Sequence, residues 1–220
     1  MRTLTLWGLF FLICFGLGYP TLNRFNPEKS KGAGDARYYY EILRTNPKNV
    51  ITQARYRVLV PYLAKPVYAL AKDRMGSWNP ISFAFLIINA FFCASAACLL
   101  IHLGSPLVGR STSFMAALLY LLNFNIPNAH LSGSIDSGEA FFFIVLISSL
   151  LSNRWRTLPL LSAAGVLAKQ TYLPFSVLFS AVWLAALAKK DRNFSKLGWV
   201  FAMAFSGLVS YLILQSLVLE

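Results

Sequence analysis

The sequence predicts an all-α membrane protein: about seven transmembrane helices, with amphipathic interfacial helices in a long first outward loop. Three observations predict it. Hydrophobic residues make up 57% of the 220 positions and charged residues only 13%, against about 25% charged in soluble domains. Several apolar runs approach the ~20 residues that carry a helix across a ~30 Å hydrocarbon layer. These runs are too long and too uniformly apolar for the alternating strands of an outer-membrane barrel.

The spans are expected at about 3–19, 80–103, 112–128, 138–152, 157–169, 171–188 and 197–218, in one membrane domain covering 1–220. Residues 3–19 follow a basic start and lack an A-x-A-like cleavage site, so they read as an uncleaved first helix. Residues 157–188 form a run of about 48 Å if helical throughout, too long for one ordinary span. Lys169, Gln170 and Pro174 interrupt it, which predicts either two short helices meeting at Lys169 or one helix broken there. Charge placement orients the set. With Arg2 cytoplasmic, the short inward loops carry Arg110, Arg154, Arg156, Lys189, Lys190, Arg192 and Lys196, and the short outward connections carry only Lys169. That is the positive-inside asymmetry. It predicts a multi-pass membrane protein with a cytoplasmic N-terminus and the first long loop, 20–79, on the outward side.

The formal charge of +12 therefore reads as topology. Nucleic acid is not expected as a partner, because no basic face separates from the membrane segments. Cys14, Cys93 and Cys98 lie inside apolar runs and have neither metal spacing nor a disulfide framework. P-loop, Rossmann, G-x-S-x-G and H-E-x-x-H patterns are absent.

Within loop 20–79, "DARYYYEILRTN" predicts a short helix with Asp35 at its start, where an acid suits the dipole, and Asn46-Pro47 as its stop. Next, Val58, Leu59, Leu63, Val67 and Leu70 recur near helical spacing, with Tyr62, Lys65, Lys72 and Arg74 as the polar side. Pro61 and Pro66 favour kinks. These segments read as helices lying on the membrane surface.

Acids carry the most information because there are only eight. Asp35, Glu41 and Asp73 fall in the first outward loop; Asp136 and Glu139 fall in the second, "NAHLSGSIDSGE", with His130. Glu28 and Asp191 read as solvated charges, and Glu220 is the last residue. Charges beside apolar spans mark functional sites by default. Each has a plainer reading as well. Asp35 fits a helix N-cap, Glu41 a partner of Arg37 or Arg44, and Asp136 and Glu139 a helix start. Tyr38, Tyr39 and Tyr40 fit an interfacial aromatic belt before a substrate platform. Arg55, Arg57, Lys65 and Lys169 share the acids' side, and such cations recognise phosphate by charge-assisted hydrogen bonds. Lys169 is hard to place unless it meets an acid or a bound anion.

In order along the chain, "GDARYYYEIL", "ARYRVLVPYLAKPV", "SGSIDSG" and "LAKQTYLPF" resemble the GT-C-type integral-membrane glycosyltransferases, in particular short bacterial members that use polyprenyl-phosphate-linked sugars. The resemblance covers roughly residues 1–180. It implies Asp35 as the loop-one carboxylate, which acts as catalytic base or positions the acceptor, and Arg57 and Pro61 as the R-x-x-x-P of the loop helix. It further implies Asp136 as a second catalytic carboxylate, after the third helix, that assists with sugar, acceptor or a divalent ion, and Lys169 as the lysine near the end of the fifth helix. Arg55 and Lys65 join Arg57 and Lys169 as phosphate- and lipid-binding cations. Tyr38, Tyr39, His130, Glu139 and Gln170 are candidate substrate contacts. No residues are assigned as metal ligands; a divalent cation, Mg or Mn, is an option beside Asp136. Gln170 stands where relatives carry an acid. Relatives also often continue beyond the seventh span, so the expected alternatives are a minimal core, a fragment, or a member working with a membrane-protein partner. The expected activity is sugar transfer from a polyprenyl-phosphate donor on the outward face. The alternative is a non-catalytic, shortened subunit that binds lipid or a partner. A transporter or flippase is disfavoured by spans almost free of charge and by the lack of inverted repeats.

Overall fold

The N-terminal apolar run forms α1, Thr3–Gly18, followed by a single turn, α2, Thr21–Arg24. The computed structural model describes residues 3–24, 35–44, 50, 52–187 and 194–219. Arg2, Glu28, Asn46-Pro47, Lys189, Lys190, Asp191, Arg192 and Glu220, to which sequence reasoning gave roles, lie outside them. Every regular element among the described residues is helical.

The loop after α1 supplies α3 (Ala36–Arg44), α4 (Thr52–Arg55) and α5 (Leu59–Ala71). In α3, Ala36, Tyr39, Tyr40, Ile42 and Leu43 are buried. Tyr39 and Tyr40 therefore belong to the core rather than to an exposed aromatic belt. The inner face of α5 is Val60, Pro61, Ala64 and Ala71, while Tyr62, Leu63 and Leu70 point outward. This corrects the expected face. Small and β-branched side chains let α5 lie close against its neighbour, and that close approach decides which stripe is buried.

That neighbour is α6, Pro80–Val108. Its start is well specified. Asn79 Oδ1 accepts from the backbone N–H groups of Ile81 (3.0 Å) and Ser82 (3.1 Å), and Pro80 at the first position lacks a donor that would go unpaired anyway. α6 packs against α1, α5, α7 (Arg110–Leu122) and α9 (Asp136–Leu151). Gly109, at φ +83°, makes the turn into α7. Between α7 and α9 lie the short α8 (Asn125–Asn128) and a 3-10 turn at His130–Ser132. Then come α10 (Leu158–Ala168), α11 (Tyr172–Ala186) and α12 (Phe194–Leu219). The break within 157–188 is real: Lys169 is extended, at φ −162° and ψ 131°. Tyr172 folds back so closely that a Cβ at Gly165 would sit 2.3 Å from its ring.

All seven expected segments are thus helices, but two of them, α6 and the Phe194–Leu217 stretch of α12, are long and apolar enough to cross a membrane. α1, α7, α9, α10 and α11 have 16, 13, 16, 11 and 15 residues, or roughly 16–24 Å each. The expectation of seven independent spans is narrowed accordingly. α6 buries most of its length, whereas α12 exposes Phe201, Phe205, Leu208, Leu212, Ile213 and Leu217.

Candidate functional site

Two acid–base groups meet where the starts of α3 and α9 approach the break between α10 and α11. Asp35 immediately precedes α3; its carbonyl accepts from Tyr38 N–H at 3.0 Å. Its carboxylate is 63% exposed and lies 3.5 Å from Nη1 of Arg57, which is only 16% exposed. The same Nη1 donates to the Tyr39 hydroxyl at 2.6 Å. Burial raises the Tyr39 phenol above its ordinary range, more than the hydrogen bond from Arg57 lowers it. Tyr39 is a neutral acceptor at pH 7. Arg57 Nε is buried without a hydrogen-bond partner.

The second group is tighter. Lys169 Nζ reaches Asp136 Oδ1 at 2.7 Å and Glu139 Oε2 at 2.9 Å. Asp136 and Glu139 stand one helical turn apart at the start of α9, so both carboxylates face one side and suit the positive end of the dipole. Extended backbone at Lys169 delivers the ammonium between them. Thr171 Oγ1 donates to Glu139 Oε1 at 2.5 Å, and Ser134 Oγ to Asp136 Oδ2 at 2.5 Å. Burial alone would raise the Asp136 carboxyl; the hydrogen bonds from Lys169 and Ser134 outweigh it and hold the group below its ordinary range. Burial would lower Lys169, and its two carboxylates reverse this and raise it.

A buried amide fixes this end of α9. Asn89 of α6, fully buried, donates through Nδ2 to Ser134 O at 2.9 Å and accepts from Ser137 Oγ. It therefore grips the chain on both sides of Asp136. Gly133 allows the approach: it sits at φ +94°, and a Cβ there would lie 2.7 Å from the Tyr40 hydroxyl.

Asp35, Tyr39, Arg57, Asp136 and Lys169 line one polar cavity of about 530 Å3, together with Ser132 and Ser134. A second hollow of about 800 Å3 shares Asp136 and Lys169 with it. That one is apolar, running between α9 and α11 past Phe143, Phe175, Leu178 and Val182, with His130 and Glu139 at its polar end. Burial holds the His130 imidazole below its ordinary range despite the nearby Asp136, and its Nδ1 has no hydrogen-bond partner.

Four expected site residues line neither cavity. Arg55 Nε donates to Val50 O at 2.7 Å and supports the local turn. Lys65 lies over the Tyr62 ring, 3.9 Å from its centroid, on the outer side of α5. The Tyr38 hydroxyl accepts from Arg37 at 2.6 Å. Gln170 Oε1 is buried without a partner; Glu139, from another helix, supplies the carboxylate beside Lys169. Sequence reasoning missed Asn89, Ser134, Ser137 and Thr171. Asn89 was detectable, as a lone amide inside the long apolar run of α6.

Arg57 and Lys169 oppose Asp35, Asp136 and Glu139, so two cations against three carboxylates leave a formal charge of −1. No group of three or more His, Cys, Asp or Glu side chains suited to a metal ion occurs among the described residues. Asp136 and Glu139 are both engaged by Lys169. The residues do not fit a protein-held divalent cation, and no chemical step below runs through one.

No family model, curated protein or solved structure matches this chain.

Proposed function

We propose that this chain is a multi-pass membrane protein that transfers a sugar from a polyprenyl-phosphate donor to an acceptor hydroxyl, as its likeness to GT-C-type enzymes implies. One observation carries this reading: the polar cavity and the apolar hollow lie on either side of shared residues, since Asp136 and Lys169 line both. A lipid-linked sugar has matching chemistry, an anionic phosphate between a polar head and an apolar chain. In this reading the seven apolar helices lie in the bacterial inner membrane with the N-terminus cytoplasmic. α3 and α5 then rest at the periplasmic surface.

Asp35 is the most exposed of the three carboxylates and serves as general base. It takes the acceptor hydroxyl's proton while the acceptor oxygen bonds to the anomeric carbon. The bond from that carbon to the phosphate oxygen breaks, its electron pair leaves on the lipid phosphate, and the anomeric centre inverts. Arg57, with an unpartnered buried Nε, steadies the leaving phosphate. Lys169 is already held by two carboxylates, so its role shifts from phosphate contact to positioning Asp136 and Glu139.

The test is Asp35→Asn in vesicles loaded with a polyprenyl-phosphate sugar. Transfer falls about 10²–10⁴-fold, the usual worth of a general base, while membrane insertion is unchanged. Full activity in this variant refutes the assignment. A second reading, a non-catalytic subunit that binds lipid or a partner protein, draws support from the charge balance, because a site at −1 does not attract phosphate by charge alone. A stoichiometric copurifying partner and no wild-type turnover with polyprenyl-phosphate sugars select that reading.

A further inference from the structure

The far ends of α9 and α10 carry a third hollow, of about 330 Å3, bordered by Arg154, Trp155, Arg156, Ser195, Lys196 and Trp199. It is built on a fixed corner. After α9 ends, Asn153 takes φ +56°, a region that asparagine tolerates better than most residues. Arg154 N–H donates to Ser149 O at 2.8 Å, and Thr157 Oγ1 donates to Arg154 O at 2.8 Å. Trp155 is buried, its Nε1 donating to Asn153 Oδ1 at 2.6 Å. Lys196, in the first turn of α12, lies 5.6 Å from the Trp155 ring centroid.

Among the described residues no carboxylate lines this hollow, and none pairs with Arg154 or Arg156. The guanidinium groups of Arg154 and Arg156 therefore converge on one small concavity that Lys196 also borders, near the starts of α10 and α12, where helix dipoles add further positive potential. Guanidinium forks match phosphate oxygens geometrically. Indole rings favour the headgroup depth of a bilayer, and basic pockets between membrane helices hold anionic lipid headgroups.

We propose that this hollow binds the phosphate of an anionic membrane lipid, at the membrane face opposite Asp136 and Lys169. The site needs only the membrane placement of the chain and is independent of sugar transfer. Inorganic phosphate would use the same donors, so the test separates the two sources. The full chain, reconstituted in vesicles mixing phosphatidylglycerol with phosphatidylcholine, is released and weighed by native mass spectrometry. Wild type retains phosphatidylglycerol in preference to phosphatidylcholine. Arg154→Gln/Arg156→Gln lowers that retention about tenfold or more, the scale of losing a charge-assisted hydrogen bond, and Lys196→Gln lowers it less. Equal retention in wild type and the double variant, or no preference between the lipids, overturns the proposal. Wild type stabilised against heat by inorganic phosphate alone, as strongly as by phosphatidylglycerol, overturns the lipid assignment in favour of the free anion.

Discussion

The two ends of α9 and α10 are electrostatic opposites. At the Asp136 end, Arg57 and Lys169 face three carboxylates, with an amide, two serines and a threonine satisfying what remains. At the Trp155 end, Arg154, Arg156 and Lys196 border a hollow that no carboxylate lines among the described residues. The difference teaches that basic residues in this chain do two jobs. Where acids accompany them they organise a cavity internally. Where no described acid accompanies them, as at Arg154 and Arg156, they border a hollow of their own.

The comparison breaks most sharply at Lys169. Lys169→Met leaves Asp136 and Glu139 facing each other without their shared cation. We expect a loss of about 1–3 kcal/mol, the cost of stranding partly buried charged groups, read as a lowered Tm in detergent, with Lys169→Arg recovering part of it. An unchanged Tm for Lys169→Met removes the organising role. The same network predicts a pH profile. The Asp136 carboxyl is depressed in the fold, so its contribution is present above the ordinary carboxylate range and disappears as pH falls through its lowered pKa. Lys169 is raised, so its contribution is present below the ordinary lysine range and disappears as pH rises through its raised pKa. Thermal stability of wild type should fall at both extremes, and Lys169→Met should flatten the alkaline limb.

Asn89→Ala is the next largest break. It removes the buried amide that holds Ser134 and Ser137, at about 1–2 kcal/mol. It also frees the start of α9, so amide exchange at Ser137 and Gly138 should quicken more than exchange in α12. Asp35→Asn costs under about 1 kcal/mol of stability, because the pair with Arg57 is long and its acid exposed. A large activity loss with little change in Tm would sharpen the distinction between a chemical and a structural carboxylate. The smallest effect is expected at the Trp155 end: Arg154→Gln/Arg156→Gln should alter Tm in neutral detergent by less than about 0.5 kcal/mol equivalent. A clear drop there would mean that these arginines serve the fold itself.

Much of the helical framework was legible in the sequence. Uniform apolar runs located all seven long segments, because a run with no polar face has little alternative to a helix. The break at Lys169 followed from Lys169, Gln170 and Pro174 interrupting an overlong run. Segment ends were less legible. α6 continues past Pro106 to Val108, where Gly109 ends it at φ +83°, and α7 stops at Leu122, six residues before its expected end. The burying face of α5 was misread, since periodicity favoured the large residues Leu63 and Leu70 while close packing on α6 selected Val60 and Ala64. Arg55, Lys65 and Tyr38 were grouped with the site by membrane side alone, and local partners within a few residues claim each of them.

By itself the sequence determined which stretches are helical and that acids and cations would gather at one end, since hydrophobic runs and scarce charges are written directly in residue order. Tertiary structure decided which charges touch. Glu139, not position 170, became the second carboxylate at Lys169, because α9 presents residues one turn apart on the same face and the extended Lys169 is carried between them. That choice depends on how two helices approach, and spacing along the chain does not encode it.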